Sequence, residues 1–402
     1  GRAVRVSVGS RMKPFLTPRL ALLAFAHFAT DAYSSFFSPL LPLLVAKLHL
    51  SLTLVGTLVA LASLSSSFGQ PLWGYISDRL HRPYFVAFGP LVAALFISAI
   101  GLAPSFGVLV ALLMLGGMGV AAFHPQAAVL AGESSPRRAM AMSLFVSGGT
   151  LGFALGPIFA VSVVGAVGLG RTWLAVIPGA VVSVLMLAWF LRVPAHVRHP
   201  GAKPSLRELK PHATPLTLLY FCVVCRSAVS YGFMTFLPIH LHRLGFSLAA
   251  GGSVLTAYLT AGAAGGFLGG WLAERWGGRR VVVASFIGAI PLFAGFLFLR
   301  GAAGLGSLVA GGLVLQASLP VNVVLGQELS PRHSSTISSL LMGAAWGFGA
   351  LLISPVGALA DARGLDWALR ALALVLVAGL GCAIALPKLD ATVRAPVVVP
   401  QL

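Results

Sequence analysis

The chain has 402 residues, 58% of them hydrophobic and only 9% charged, with a mean hydropathy of +0.95 and a formal net charge of +18. About a quarter of the residues in a soluble domain are charged, so the composition argues against a soluble enzyme, and its apolar bias argues against disorder. At about 20 apolar residues per crossing plus short loops, this length fits about twelve membrane helices.

In chain order, residues 1–19 form a basic N-terminal extension in which Met12 is a candidate start. Apolar runs follow at 20–45, 52–76, 84–104, 106–131, 138–167 and 171–193, and again at 215–241, 249–274, 280–300, 304–328, 333–361 and 366–387. The first run has many successors, so it reads as a membrane helix and not a cleaved signal. Between runs six and seven lies a polar, basic, proline-punctuated stretch, 194–213, the natural linker between two halves. The expected organisation is an N-terminal six-helix bundle (20–193), the linker (194–213), a C-terminal six-helix bundle (214–387) and a tail (388–402).

The basic residues sit between apolar runs and not on one stripe, which argues against nucleic-acid binding and points to membrane topology. With the N-terminus inside, the inner segments carry twenty Lys and Arg and the outer loops five: Lys47, Arg171, Arg243, Arg300 and Arg363. Arg226 and Arg370 fall within helices. Both termini are therefore expected in the cytoplasm. Cys222 and Cys225 have no second ligand pair, so a packing role is expected for them and for Cys382.

Two landmarks recur. Gly74-Tyr-Ile-Ser-Asp78-Arg79-Leu-His-Arg82 follows the second run, and a looser copy from Gly270 through Glu274 and Arg275 to Arg279-Arg280 follows the eighth. Glu133-Ser-Ser-Pro136-Arg137 follows the fourth run, and Glu328-Leu-Ser-Pro331-Arg332 the tenth. Asp78 to Glu133 spans 55 positions and Glu274 to Glu328 spans 54. Two unlike motifs at matched separation indicate two parallel six-helix repeats with a path between them.

The Gly74–Arg82 pattern, its second copy and the six-plus-six layout resemble the major facilitator superfamily over about 20–387. Gly148-Gly-Thr-Leu-Gly152-Phe-Ala-Leu-Gly156-Pro157 resembles the glycine-proline motif of its proton-coupled antiporters. His27-Phe-Ala-Thr-Asp31 and Gly119-Val-Ala-Ala-Phe123-His124-Pro125 resemble the fosmidomycin-resistance branch, which commonly has an acid where this chain has Gln126. The resemblance implies an all-helical membrane transporter. It also implies a gating role for Asp78, Arg79, Arg82, Glu133, Arg137, Glu274 and Arg275, and a coupling role for the glycine-rich helix.

Read by themselves, the same residues are informative. Asp31 sits near the middle of the first span, where a lone charge costs at least ~2.5–3.5 kcal/mol. His27 lies one turn earlier on the same face, and Ser34 and Ser38 extend that face. The stripe suits either a water-accessible path or an interhelical hydrogen-bonded cluster. The repeat offset puts Arg226 close to the position of Asp31 or Thr30, where it can bind an anion, pair with Asp31 or act only as a static buried charge. His124 precedes Pro125 in the fourth run, where proline frees a carbonyl and opens the helix locally. Its repeat counterpart is Leu319, while Pro125 matches Pro320. Asp31, His27 and His124 are the proton-coupling candidates. Arg226, Tyr33, Ser34, Gln126, Ser230, Tyr231, Thr235 and Asn322 are the substrate-binding candidates.

No P-loop, nucleophile–base set or metal cluster stands out, so neither catalysis, a cofactor nor a bound metal is expected. The reading is a monomeric, proton-coupled exporter of a small anionic compound in a bacterial-type inner membrane. Uptake or facilitated transport of a sugar, metabolite or lipid is the alternative within transport. A receptor or channel is the alternative outside it.

Overall fold

A computed structural model of the chain describes residues 16–77, 80, 82–135, 138–190, 206–330 and 333–387. Every regular element among them is helical. Helix α1 comprises Pro18–Ser34 and, after a break, Leu41–Leu48. The N-terminal half continues with α2 (Leu52–Ser77), α3 (Tyr84–Leu102), α4 (Phe106–Gly132), α5 (Arg138–Val167) and α6 (Leu169–Trp189). The C-terminal half holds α7 (Arg207–Arg243), α8 (Leu248–Trp276), α9 (Gly278–Phe298), α10 (Gly301–Leu329), α11 (Thr336–Arg363) and α12 (Leu365–Ala385). Ten of these are long and apolar enough to span a bilayer. The other two are α1, interrupted part-way, and α8, whose seven glycines add almost nothing to its hydropathy.

Local chemistry sets these boundaries. Thr17, Ser51 and Ser247 accept hydrogen bonds from Leu20, Leu54 and Ala250 N–H and so cap the starts of α1, α2 and α8. Gly277 and Gly364, at φ 85° and 97°, make the abrupt α8–α9 and α11–α12 junctions. The break in α1 follows from Pro39 and Pro42, which cannot donate back to the carbonyls four residues earlier. Ser38 therefore starts a short 3₁₀ turn and does not prolong the His27–Asp31 face, which corrects the expected stripe. Helix α4 stays continuous through Pro125 instead of opening there, whereas α10 is broken at Ala317, just before Pro320.

Lipid gives helices no hydrophobic reason to associate, so close backbone approach does much of the work. The halves meet most extensively along two helix pairs, α2 with α11 and α5 with α8, and the Ser38–Leu48 stretch of α1 also packs on α7. At the end remote from the termini, a Cβ on Gly56 would collide with the Ile353 backbone, and one on Gly357 with the Leu52 backbone. In the same seam, Asp361 accepts bonds from Leu52 N–H (2.8 Å), Thr53 N–H (2.8 Å) and Thr53 Oγ1 (2.6 Å). Thr57 and Ser354 hydroxyls lie 2.9 Å apart beside it. The opposite ends, Gly69–Ser77 of α2 and Ser318–Leu329 of α10, pack on helices of their own halves. Among the described residues, α2 and α11 thus make their tight backbone contacts and shared hydrogen bonds on the far side, remote from the termini. Most of the expected linker and all of the tail, 388–402, fall outside the described residues.

Candidate functional site

Helix α1 is held against α5 by a ladder of glycines. A side chain on Gly148, Gly152 or Gly156 would meet the backbone of Ala24, Phe28 or Ala32, and one on Gly149 would meet the His27 ring. This seat fixes His27. Its ring stacks on Phe145 with centroids 4.1 Å apart, and its Nδ1 lies 2.8 Å from the Phe145 carbonyl oxygen. Its Nε2 lies 3.2 Å from one Asp31 oxygen. The other Asp31 oxygen lies 3.2 Å from Nε2 of His124, whose Nδ1 is 2.7 Å from the Val120 carbonyl oxygen. The structure thus brings together the three proton-coupling candidates and links α1 to α4 through one carboxylate. Asp31 and His124 keep 17% and 23% of their side-chain surface, so the cluster is not sealed off.

The three side chains each offer a ligand atom, all within 4.8 Å of one another, a donor set that suits a divalent cation as well as a shared proton. The sequence reading had grouped the same three residues as proton carriers and not as metal ligands.

Arg226 of α7 is 1% exposed. Its Nη1 donates to Gln316 Oε1 at 2.7 Å, and its guanidinium lies 4.8 Å from the Trp346 ring centroid. Its Nε is buried without a partner, and among the described residues no carboxylate comes within ion-pair distance. The expected alternative of an Asp31–Arg226 pair does not occur, because Asp31 is taken up by the two histidines. Ser230 receives a 3.3 Å bond from Gln316, and Tyr258 stands beside both Ser230 and Arg226. Tyr231 packs edge-on to Trp346, with ring centroids 5.8 Å apart, and faces Ser63 and Ser67 of α2 across the interface.

A half-protein apart in sequence, an acid held by histidines and a buried cation without a carboxylate thus stand in opposite six-helix halves. The sequence profile described as the Major Facilitator Superfamily matches residues 23–354. The chain belongs to the Major Facilitator Superfamily. It is 30% identical over 375 residues to an uncharacterized MFS-type transporter, YfnC, of Bacillus subtilis, covering 90% of this chain and 91% of that one. It is 26% identical over 374 residues to the fosmidomycin resistance protein of Escherichia coli, with the same coverage. A bacterial homolog of the human lysosomal transporter Spinster, solved inward-facing and unoccupied, superposes with a TM-score of 0.78 at 18% identity, covering 93% of this chain and 97% of that one. The protein is a multi-pass membrane transporter of this superfamily.

Several other substrate-binding candidates of this superfamily member lie in the packed interior. Tyr33 is 2% exposed, and its hydroxyl donates to the Ala175 carbonyl oxygen at 2.5 Å and accepts from Gly179 N–H at 3.1 Å. With its hydroxyl bonded twice to α6 and its ring in the core, it ties α1 to α6 where a substrate contact was expected. Gln126 likewise accepts from Val86 N–H and donates to Ser77 Oγ, joining three helices instead of meeting a substrate. Ser34 donates to the Thr30 carbonyl of its own helix. Thr235 and Asn322 are fully buried, the former with its hydroxyl and the latter with both amide atoms unpartnered.

Among the gating candidates, Asp78, Arg79 and Arg137 lie outside the described residues. Arg82 is exposed beyond the end of α2. Glu133 caps α4 and has Arg19 as its charged neighbour, within the same half. Glu274 is exposed, and Arg275 stacks 3.9 Å over Trp271 of its own helix. Glu133 and Arg275 thus have neighbours within their own halves, where contacts across the halves were expected. Phe145, Gln316, Trp346, Tyr258 and Asp361 escaped the sequence reading. Only Gln316 and Asp361, polar residues in apolar runs, carried a signal that could have exposed them.

Proposed function

We propose that the protein is a proton-coupled exporter of a small anionic compound, working by alternating access in a bacterial inner membrane with both termini in the cytoplasm. One observation carries the coupling half of this reading: both histidines direct Nδ1 at a backbone carbonyl and Nε2 at Asp31. A carbonyl only accepts, so each Nδ1 carries its hydrogen. A neutral imidazole then presents a lone pair to the carboxylate. Both 3.2 Å contacts are hydrogen bonds only when two further protons are shared among the three groups. Removal of one sets lone pair against lone pair and opens a link, either within α1 or between α1 and α4. Full protonation thus closes both links, and release of the proton at the His124–Asp31 contact loosens α1 from α4.

The anion half rests on Arg226. A buried guanidinium without a carboxylate is poorly compensated, and its planar fork suits a carboxylate or phosphate-type group. Ser230, Tyr231 and Gln316 complete the contact surface. Export is favoured by the likeness to a resistance protein. On this reading the far-side contacts between α2 and α11 belong to an inward-facing state, and the halves, 20–193 and 214–387, rock about the linker 194–213 as a monomer. One proton entering supplies roughly 2.3 kcal/mol per 100 mV and about 1.4 kcal/mol per pH unit.

Proteoliposome flux of fosmidomycin, with and without a pH gradient, tests the reading. Asp31→Asn is expected to abolish gradient-driven flux while leaving substrate counterflow. Parental flux with unchanged proton dependence in this variant would remove Asp31 from the mechanism, and gradient-driven accumulation along with the proton would reverse the direction.

A further inference from the structure

The far side of the C-terminal half carries an electropositive pocket that transport through the central cleft does not use. A cavity of about 400 Å³ is lined by Arg243 at the end of α7, Arg363 at the end of α11, and Asp366, Trp367 and Arg370 in the first turns of α12, with His240 at its back. Its one acidic group, Asp366, lies 3.6 Å from His240 Nδ1. None of the three arginines forms an ion pair among the described residues. Cations are scarce on this side of the chain, and those elsewhere on it need not gather: Lys47, for instance, donates to the Gly101 carbonyl oxygen at 2.7 Å. Here three guanidinium groups converge against one carboxylate.

Depth identifies the surroundings. The spans α7, α9 and α11 end at Arg243, Phe298 and Arg363, and α12 begins at Leu365, so the pocket sits at the height where hydrocarbon gives way to headgroups. Its rim is apolar and faces outward. Phe298 is 73% exposed, Leu244 62% and Trp367 53%. The Arg370 guanidinium lies 5.5 Å from the Trp367 ring and 5.9 Å from the Phe298 ring. Aromatic rings beside arginines at this depth are the arrangement of an interfacial belt. Arginine forks match phosphate oxygens bidentately, and the cavity takes a headgroup while the exposed rings lie along the acyl chains.

We infer that this pocket binds the phosphate of an anionic phospholipid in the far leaflet. The site is independent of the proton and substrate sites. The bound headgroup ties α7, α11 and α12 together where α11 also forms the far-side seam with α2.

The test uses the purified full chain and native mass spectrometry, titrating phosphatidylglycerol or phosphatidylcholine of equal chain length. Phosphatidylglycerol adducts are expected to persist at activation energies that strip phosphatidylcholine. Near a membrane surface each arginine contributes about a fivefold gain in anion affinity. Arg363→Gln is therefore expected to weaken retention about fivefold, and the Arg243→Gln, Arg363→Gln, Arg370→Gln triple variant about a hundredfold. A control variant carrying Arg171→Gln and Arg300→Gln, elsewhere on the far side, is expected to retain the lipid. Equal retention in the single variant and the parent overturns the site, even if the triple variant fails to fold. Soluble glycerol phosphate is expected not to compete. Displacement of the lipid by millimolar glycerol phosphate would overturn the lipid assignment and leave a free-anion site.

Discussion

Arg226→Met separates a functional buried charge from a structural one, because the two predict different costs in stability. Methionine keeps the length of the side chain and removes its charge. The change removes the Nη1–Gln316 bond of 2.7 Å, worth about 1.5–3 kcal/mol for a charged donor. It also removes the contact with Trp346 at 4.8 Å, worth about 2 kcal/mol when desolvated. On the other side, it relieves the unpartnered Nε, about 1–3 kcal/mol, and the several kcal/mol needed to bury a charge. Gln316 keeps its bond to Ser230. The terms cancel to within about 2 kcal/mol, whereas breaking a compensated buried pair costs about 3–5 kcal/mol. At roughly 2 °C per kcal/mol for a large chain, Arg226→Met is expected to melt within about 4 °C of the parent in detergent, while anion binding is lost. A fall of more than about 6 °C, or unchanged anion binding at equal stability, would refute the functional assignment.

Other outcomes follow from contacts described above. Asp361→Ala removes three bonds across the far-side seam. Discounted for solvent exposure, this shifts the balance toward far-side opening by about 1–2 kcal/mol, a five- to thirtyfold change in populations; spin-label distances between cysteines placed at Gly170 and Gly306, where a new side chain meets nothing, read it directly. Gly357→Val places a branched side chain against the Leu52 backbone in the same seam and is expected to lengthen the same distance. Gly152→Leu, against the Phe28 backbone, is expected to lift α1 off α5 and abolish flux, with reduced expression or melting temperature as its companion; a parental protein on all three counts would show that the glycine ladder is dispensable. Tyr33→Phe deletes two hydrogen bonds and is expected to lower stability by about 1–3 kcal/mol with substrate affinity unchanged, as measured by thermal unfolding and binding.

The twelve helices were legible because apolar runs of membrane length have few other uses, and the repeat was legible because charged landmarks stand out in an apolar chain. The His27–Asp31 pair was legible from helical spacing alone. What held it in place was not. The Phe145 and Val120 carbonyls that orient the two imidazoles are backbone atoms, which every residue possesses, so the sequence carries no mark of them. Tyr33 and Gln126 were misjudged for a related reason. A polar side chain in an apolar helix serves equally well in the cleft or as a buried tie between helices, and only its neighbours decide which. Ser38 was misplaced because two prolines change the helical phase before it. Asp361 escaped notice because nothing in the sequence shows that the start of α2 lies against it.

The acid–histidine cluster draws its partners from α1, α4 and α5, and the lone guanidinium draws its own from α7, α8, α10 and α11. On the proposed reading, energy source and cargo recognition therefore occupy separate stretches of one gene. Substitutions around Gln316 and Trp346 can retune which compound is carried without disturbing proton stoichiometry. Descendants of such a chain would diversify in the compounds they tolerate along the second half while the first half drifts little.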